Sequence, residues 1–413
     1  METKNLSLPF NRRIRKAAVK VKDAAVTKGK QNIIIIAALV ALSLIFYALN
    51  PNFFGGFNVV SMTQSLAPYA ILALGVTFVI ATGGIDLSIG TVCIASAVIS
   101  GFCYTKGMPL WLTIPMMIVI GGLFGLLNGF LVAKLKLPAF IATLGTMMLS
   151  RGLSALIVSV PNIFFPSGTW FNLTFSNLNG FPIGLVWVIG LMLLCMYLMY
   201  KNKVGRYILS IGSNEEATRL SGINTDKYKM LAYVFCGIGA GVAAIFWAAS
   251  FTTVASATGN GMELDAIAGV YIGGTSAAGG TASVAGSVIG NIMLVVIRNG
   301  LNFVLAKFNL KMNSTYVTYV LTGIIVVAAV LMDTIKNKNA MKVKEDTPKQ
   351  KIKKHYVERK AALNDGIDAI LVDGTIGDKE RESRVSVLND ELTKLKADYL
   401  SEMEKLKSQS AKA

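Results

Sequence analysis

The feature that most constrains this chain is a series of ten apolar runs along its length. A membrane-spanning helix takes about 20 predominantly apolar residues, because each residue adds about 1.5 Å to its length. We place the runs near residues 31–49, 66–82, 88–104, 111–133, 139–160, 183–200, 230–250, 264–278, 283–305 and 316–333. With 53% hydrophobic and 15% charged residues, the sequence predicts an all-α polytopic membrane protein.

The charges concentrate at the two ends of the chain and in a few connections. Lys and Arg occupy the connections 134–136 and 201–229, whereas 50–58, 161–182 and 251–262 contain neither residue. Because basic connections stay on the cytoplasmic side of a membrane, both termini are expected in the cytoplasm. We interpret the formal net charge of +17 as basic ends that face anionic lipid, not as a nucleic-acid-binding surface.

Composition divides the chain into a basic N-terminal arm (1–30), a membrane region (31–335) and a charged tail (336–413). Apolar side chains recur every three or four residues over 385–407, which indicates an amphipathic helix, either solvated or bound to a partner. The single histidine, His355, lies in this tail, and the four cysteines have no metal-ligand spacing. We therefore expect no catalytic residue and no metal site.

Two pairs of segments resemble each other along the membrane region. The D-x-x-x-G spacing that starts at Asp86 recurs from Asp265, and "NGFLVAKLKL" (128–137) resembles "NGLNFVLAKFNL" (299–310). The members of each pair lie five predicted segments apart, and an odd offset inverts the second half relative to the first. Inverted repeats with broken helices are typical of transporters, so the sequence predicts such a repeat here.

Polar residues at the predicted breaks are the candidates for a translocation pathway. A carboxylate at the bilayer centre costs about 2.5–3.5 kcal/mol on insertion scales, so it needs a structural or functional reason. Asp86 or Ser88 either caps the next helix or contacts a solute, and Arg298 either snorkels to the interface or pairs with a carboxylate. The candidate pathway residues are Asp86, Ser88, Asn128, Glu263, Asp265, Arg298, Asn299 and Asn302. The candidate helix-break residues are Gly83, Gly84, Gly90, Gly261 and Gly269.

The longest polar connection within the membrane region is 205–229. It contains a short helical pattern, capped by Ser213 or Asn214 and ended by Gly222, which favours a docking element for a partner. The candidate docking residues are Ser213, Asn214, Glu215, Glu216, Ala217, Arg219, Leu220 and Gly222. No G-x-x-x-x-G-K-[ST] motif occurs, so a transport process that uses ATP needs another subunit to hydrolyse it.

The segments "TGGIDLSIG", "PAFIATLGTMMLSRG", "GRYILSIGSNEEATRLSGI" and "ELDAIAGVYIGGTSAAGG" resemble, in this order and spacing, the membrane permease subunit of bacterial ribose-type ABC importers. The similarity covers about residues 45–333. Members of this family end near the position of Asp333, so the tail is an addition. Arg298 stands where the family more often has a neutral polar residue, which leaves the identity of the sugar open.

The resemblance implies a non-enzymatic, multi-pass protein of the bacterial inner membrane that pairs with a second copy of itself. It implies import of ribose, or of a related monosaccharide such as galactose or xylose, delivered by an extracytoplasmic binding protein. It also implies that 213–222 contacts an ABC ATPase subunit, which binds the ATP and Mg²⁺, so no cofactor is expected on this chain.

An ion-coupled secondary sugar transporter is the alternative to an ATP-driven importer. In that case Asp86, Glu263 or Asp265 would couple an ion, and the docking element would have no task. An intramembrane aspartyl protease with Asp86 and Asp265 as its dyad, and a passive channel, are further alternatives.

Overall fold

The computed structural model describes residues 32–157, 162–178, 181–256, 258–308, 314–341, 348–372 and 377–410. The chain divides into two compact units, Met1–Asn337 and Lys338–Ala413. The predicted N-terminal arm (1–30) lies outside the described residues.

Helices dominate the described part of the first unit. They are α1 (Asn32–Leu49), α2 (Gly56–Ala81), α3 (Ile89–Thr105), α4 (Leu110–Gly129), α5 (Ala139–Ile157), α6 (Trp170–Phe175), α7 (Ile183–Met196), α8 (Lys203–Ser213), α9 (Glu215–Leu220), α10 (Thr225–Phe251), α11 (Met262–Ile272), α12 (Val284–Lys307) and α13 (Ser314–Met341). Single π-helical turns extend α4 and α7. Two short strands, β1 (Ile163–Phe164) and β2 (Thr253–Val254), pair antiparallel with Ile163 opposite Val254.

The helices confirm the predicted all-α polytopic membrane class. Seven described helices, which are α1, α2, α4, α5, α7, α10 and α12, are long and apolar enough to cross a membrane. Shorter apolar helices are α3 and the part of α13 from Tyr316 to Met332. The helix α13 continues to Met341, so it extends six residues past the predicted boundary between the membrane region (31–335) and the tail (336–413).

The eighth predicted span (264–278), which the sequence indicates to be short or interrupted by glycine, is helical only in its first part. The helix α11 has only 11 residues and ends at Ile272, and Gly274 follows with a φ of 86°. Glycine adopts this left-handed conformation without the penalty of a Cβ atom, so the chain leaves the helical path there. Apart from Asp265, Thr275 and Ser276, the run consists of apolar residues and glycine, but the helix does not extend over all of it.

The helix α2 begins at Gly56, ten residues before the predicted start of the second span. The first ten residues of α2 are more polar than the rest, so the hydropathy of the sequence did not include them in the predicted span. The helix also continues through the buried Pro68, because neighbouring helices can compensate for the backbone hydrogen bond that proline removes.

The centre of the first unit is the second half of α2. From Leu66 to Ala81 every residue except the half-buried Tyr69 is buried, and α2 packs against α7, α10, α11 and α12. The helices α1, α4, α5 and α7 instead expose large apolar side chains such as Val119. An apolar helix that is covered on all sides belongs to a core, whereas apolar outer faces suit contact with lipid.

The two ends of this helical unit differ in their chemistry. The end that contains α8, α9 and the connection 130–138 is called the basic end, and there Lys136 forms an ion pair with Asp226. The opposite end, which contains the short helix Pro51–Phe54, α6 and the β1–β2 pair, is called the aromatic end. Its ring contacts include Phe53 with Phe303, at 5.9 Å between centroids.

The second unit contains the helices α14 (Pro348–Val372) and α15 (Asp378–Ser410), which pack against each other. Tyr356 of α14 stacks on Tyr399 of α15 with ring centroids 4.4 Å apart. The helix predicted over 385–407 lies within α15, and its half-buried residues are those of the predicted stripe, Val385, Leu388, Leu392, Leu395, Tyr399 and Met403. Residues 363–378 have no clear periodicity in the sequence, and of these 363–372 form the end of α14.

Candidate translocation site

The first break in the apolar helices separates α2 from α3. Residues 82–88 are irregular, and Gly83 has a φ of 80°, as expected for a break residue. The turn also allows close approach, because a Cβ atom on Gly84 would lie 2.8 Å from the hydroxyl of Tyr233. The break therefore starts at the basic end, where α2 finishes, and leads into the protein.

Asp86 lies in this break and is only 2% exposed. Its Oδ1 atom accepts hydrogen bonds from the backbone N–H of Ser88 at 2.9 Å and from the Ser88 hydroxyl at 2.6 Å. The Asn128 amide of α4 donates to the Ser88 hydroxyl at 2.8 Å and to both Asp86 oxygens at 3.3 and 3.4 Å. Three candidate residues thus form one closed cluster.

Of the two residues predicted to cap α3, Asp86 orders the turn before the helix by its bond to the Ser88 N–H. Ser88 is the residue before the helix, but its side chain makes no capping hydrogen bond within the described structure. Of the two alternatives, the structure therefore contains the one with Asp86, since the Ser88 hydroxyl bonds to Asp86 and Asn128 instead.

The second break lies between β2 and α11 and starts at the aromatic end. Gly259 and Gly261 have φ values of 80° and 83°, and Gly261 immediately precedes α11. The two breaks meet inside the protein: a Cβ atom on Gly90, in the first turn of α3, would lie 2.6 Å from Glu263 Oε2 and 2.9 Å from the Glu263 nitrogen. Two breaks that enter from opposite ends are the arrangement that an inverted repeat predicts.

Two of the glycines predicted to break helices do not lie at a break. Gly90 and Gly269 both lie inside helices, α3 and α11, and so neither interrupts one. They are needed for close packing instead. A Cβ atom on Gly269 would lie 1.9 Å from the side-chain nitrogen of Asn291, a residue of α12.

Asp265, in the first turn of α11, forms an ion pair with Arg298 of α12. Its other oxygen accepts a hydrogen bond from Thr322 at 3.4 Å. The Arg298 guanidinium lies over the Tyr69 ring, 5.0 Å from its centre. Of the two alternatives for Arg298, the structure contains the pairing with a carboxylate and not the snorkelling one.

Glu263 has a different environment, although it is in the same turn of α11. The residue is 8% exposed, and its Oε2 atom has no hydrogen-bond partner among the described residues. Arg151 of α5 acts on it electrostatically. Arg151 is not among the residues predicted from the sequence to line the pathway. A single arginine within the apolar run 139–160 is nevertheless a signal of a buried charge partner.

A cavity of about 250 Å³ lies beside the Asp265–Arg298 pair, and we call it the aromatic-end pocket. Its lining residues are Tyr69, Asn260, Asp265, Arg298, Asn302, Thr318 and Tyr319. Asn302 is the third candidate residue that reaches this pocket, whereas Asn299 is absent from its lining and accepts a hydrogen bond from Asn58 of α2 at 2.9 Å. The remaining lining residues carried no sequence signal of their own.

The candidate docking element is the exposed helix α9 at the basic end. Asn214, not Ser213, caps it by accepting the Ala217 N–H at 2.9 Å, and Gly222 follows it with a φ of 81°. Leu220 is 80% exposed, which is unusual for a large apolar side chain outside the apolar helices. Lys229 of α10 holds the helix through an ion pair with Glu215 at 2.6 Å.

The docking element is joined closely to the end of α2, beside the first break, and to the segment after α11. A Cβ atom on Gly212, at the end of α8, would lie 2.0 Å from the Ala81 oxygen and 2.3 Å from the Gly280 nitrogen. The Gly280 N–H in turn donates to the Ala81 oxygen at 3.0 Å. The end of α2 and the segment after α11 therefore contact the root of the docking element through backbone atoms alone.

A core helix interrupted before α3, a second interruption before α11 and an exposed docking helix define a multi-pass membrane permease. The chain belongs to the family described as branched-chain amino acid transport system / permease component, whose sequence profile matches residues 58–330.

The relatives include permeases named for sugars. The chain is 35% identical to the ribose import permease protein RbsC of Escherichia coli (strain K12) over 311 residues, which are 73% of this chain and 93% of that protein. It is 31% identical to the fructose import permease protein FruG of Bifidobacterium longum, over 68% of this chain and 86% of that protein. It is also 31% identical to the L-arabinose transport system permease protein AraH of Escherichia coli, over 73% and 90%. This confirms the predicted resemblance; no solved structure matches the chain significantly.

Proposed function

We propose that this chain is the permease subunit of an ATP-driven importer of monosaccharides, with ribose as the first candidate. The observation that carries the proposal is the similarity to permeases named for ribose, fructose and L-arabinose, over 73%, 68% and 73% of this chain. All three names refer to pentoses or hexoses. A small, neutral, polyhydroxylated solute is therefore the substrate class.

An ATPase subunit is the proposed partner at the basic end, with α9 as its contact. Ala217 and Leu220 are exposed on α9 and supply an apolar surface for a protein partner. The ATP and Mg²⁺ belong to that partner. Because Gly212 contacts Ala81 and Gly280 without intervening side chains, a displacement of α9 passes directly to the end of α2, beside the first break, and to the segment after α11.

The basic end is proposed to face the cytoplasm, because Lys and Arg concentrate there. Asn32, the first described residue of α1, lies at this end, 3.4 Å from the Ser283 hydroxyl, which agrees with a cytoplasmic N-terminus. The aromatic end then faces an extracytoplasmic sugar-binding protein. A second copy of the chain completes the transporter in the inner membrane.

The proposal is tested by uptake of radiolabelled D-ribose into proteoliposomes. The chain is reconstituted with the ATPase and the binding protein encoded beside it, and we expect uptake that requires ATP inside the vesicles. Uptake by the chain alone, driven by an ion gradient, would overturn the proposal in favour of the secondary transporter.

The docking role of α9 has its own variant. Leu220→Asp places a charge in the proposed apolar contact, so the ATPase should no longer copurify and uptake should be lost. The control is Lys227→Ala, an exposed residue of α10 outside α9, which should keep both. Copurification of the ATPase with Leu220→Asp at the wild-type level would exclude α9 as the contact.

A further inference from the structure

The aromatic-end pocket contains hydrogen-bonding groups that the protein itself does not use. The side-chain amides of Asn260 and Asn302 and the hydroxyl of Tyr319 line the pocket and have no hydrogen-bond partner among the described residues. Asparagines inside the helix bundle are paired, as Asn58 is with Asn299 and Asn128 with Asp86, whereas Asn260, Asn302 and Tyr319 are exposed. Free amides that surround a cavity are groups available for a ligand.

We infer that the aromatic-end pocket is a binding site for one neutral monosaccharide on its way through the permease. This inference rests on the proposed function and names the place where the solute first binds. A sugar hydroxyl is both donor and acceptor, and an asparagine amide offers both to it. The rings of Tyr69 and Tyr319 supply apolar faces against which the C–H groups of a sugar ring pack.

The charges in the pocket favour a neutral solute. Asp265 and Arg298 already form an ion pair, and Thr322 occupies the second Asp265 oxygen. A zwitterionic amino acid would need a carboxylate and an ammonium partner of its own, and the compensated pair offers neither without being broken. A polyol needs only hydrogen bonds, so it leaves the pair intact.

The size of the pocket is also appropriate. At about 30 Å³ per water molecule in the liquid, 250 Å³ corresponds to about eight waters, which is space for a single sugar ring. The corresponding place in the first half of the chain is closed: Asp86 is 2% exposed and is covered by Ser88 and Asn128. A separate cavity of about 510 Å³ lies at the basic end beside Gly83, Gly84 and α9, but Asp86 is not among its lining residues.

The test measures occupancy of the pocket directly. Asn302→Cys is introduced into the chain assembled with its ATPase, and labelling by a maleimide is followed with and without D-ribose at tens of millimolar. The parent chain, with its four native cysteines, gives the background. We expect D-ribose to slow labelling of the introduced cysteine at least about twofold, since low affinity still occupies the site at this concentration.

Two controls make the result specific. The first control is Tyr316→Cys. Tyr316 lies one turn before the pocket residue Tyr319 on α13 and does not line the pocket, so labelling of this cysteine should not respond to D-ribose. L-leucine at the same concentration should protect neither cysteine. Protection of Asn302→Cys by L-leucine but not by D-ribose would overturn the inference.

A transport measurement separates the pocket from the overall function. Tyr319→Phe should change the ratio of D-ribose to L-arabinose uptake, whereas Tyr316→Phe should leave this ratio unchanged. A purely structural defect would lower the uptake of both sugars equally. If the wild-type assembly imports D-ribose but neither labelling nor the ratio responds, the pocket inference fails and the proposed function stands. If the wild-type assembly imports no sugar, the proposed function fails.

Discussion

The amide of Asn128 bonds to both carboxylate oxygens of Asp86, at 3.3 and 3.4 Å, and Arg298 forms the equivalent contact with Asp265. In each half, the carboxylate next to a break is held by the helix that follows the broken one, α4 in the first half and α12 in the second. The internal repeat is therefore a repeat of contacts as well as of sequence. A hydrogen bond from a neutral amide holds Asp86 in the first half, and an ion pair holds Asp265 in the second.

The first prediction concerns the contact between Asn128 and Asp86. Asn128→Ala leaves the buried Asp86 without its amide donor, and such a loss costs about 1–3 kcal/mol. The solubilised variant should therefore unfold at a lower temperature than the wild type in a thermal unfolding measurement. Leu126→Ala, an exposed residue of the same helix, is the control and should change the midpoint much less. Equal midpoints for Asn128→Ala and the wild type would contradict the role given to the amide.

The second prediction concerns the contact between α4 and α10. A Cβ atom on Gly125 would lie 2.5 Å from the Tyr233 oxygen, because two helix backbones meet there. Gly125→Ala should therefore destabilise the protein by about 1–3 kcal/mol. Gly122→Ala on the same helix meets only the Ile238 side chain at 3.5 Å and should be tolerated. Comparing the yield of folded protein by size-exclusion chromatography checks the pair.

The third prediction concerns the ion pair that holds α9. Glu215→Lys places a cation against Lys229, so α9 should be displaced and ATP-dependent uptake should fall about two- to fivefold. The exchange of both charges, Glu215→Lys with Lys229→Glu, should restore most of the uptake. If the double variant is as impaired as the single one, the pair does not position α9.

The fourth prediction concerns Gly212, where the root of the docking element contacts the end of α2. A Cβ atom has no room 2.0 Å from the Ala81 oxygen, so Gly212→Ala should reduce uptake strongly while the chain still inserts into the membrane. Gly190→Ala in α7 is the matched control, since its Cβ atom would meet no described atom within 4 Å. Uptake by both variants at the wild-type rate would refute a mechanical role for Gly212.

The fifth prediction concerns the tail, which extends beyond the region shared with the relatives. Because the second unit is compact by itself, truncation after Met341 should leave sugar uptake within about twofold of the wild type. The measurement is D-ribose uptake at equal amounts of the two proteins in the membrane. Complete loss of uptake would show that the tail takes part in transport.

Local sequence signals predicted the elements well where periodicity and turn chemistry decide the structure. The apolar runs, the stripe over 385–407 and the short helix before Gly222 are all present as helices. Hydropathy did not predict where a helix ends when the apolar run continues beyond it. The run 264–278 is apolar for most of its length, yet the glycines at 273 and 274 end its helix early.

The sequence by itself determined the membrane class, the two acidic breaks and the family, because hydropathy, glycine spacing and motifs are local properties of the chain. Only the tertiary structure decided that Arg298 pairs with Asp265, and that Tyr69, Asn260 and Tyr319 border one cavity. These residues are far apart in the sequence. Their proximity depends on how four helices pack, and no local pattern encodes that distance.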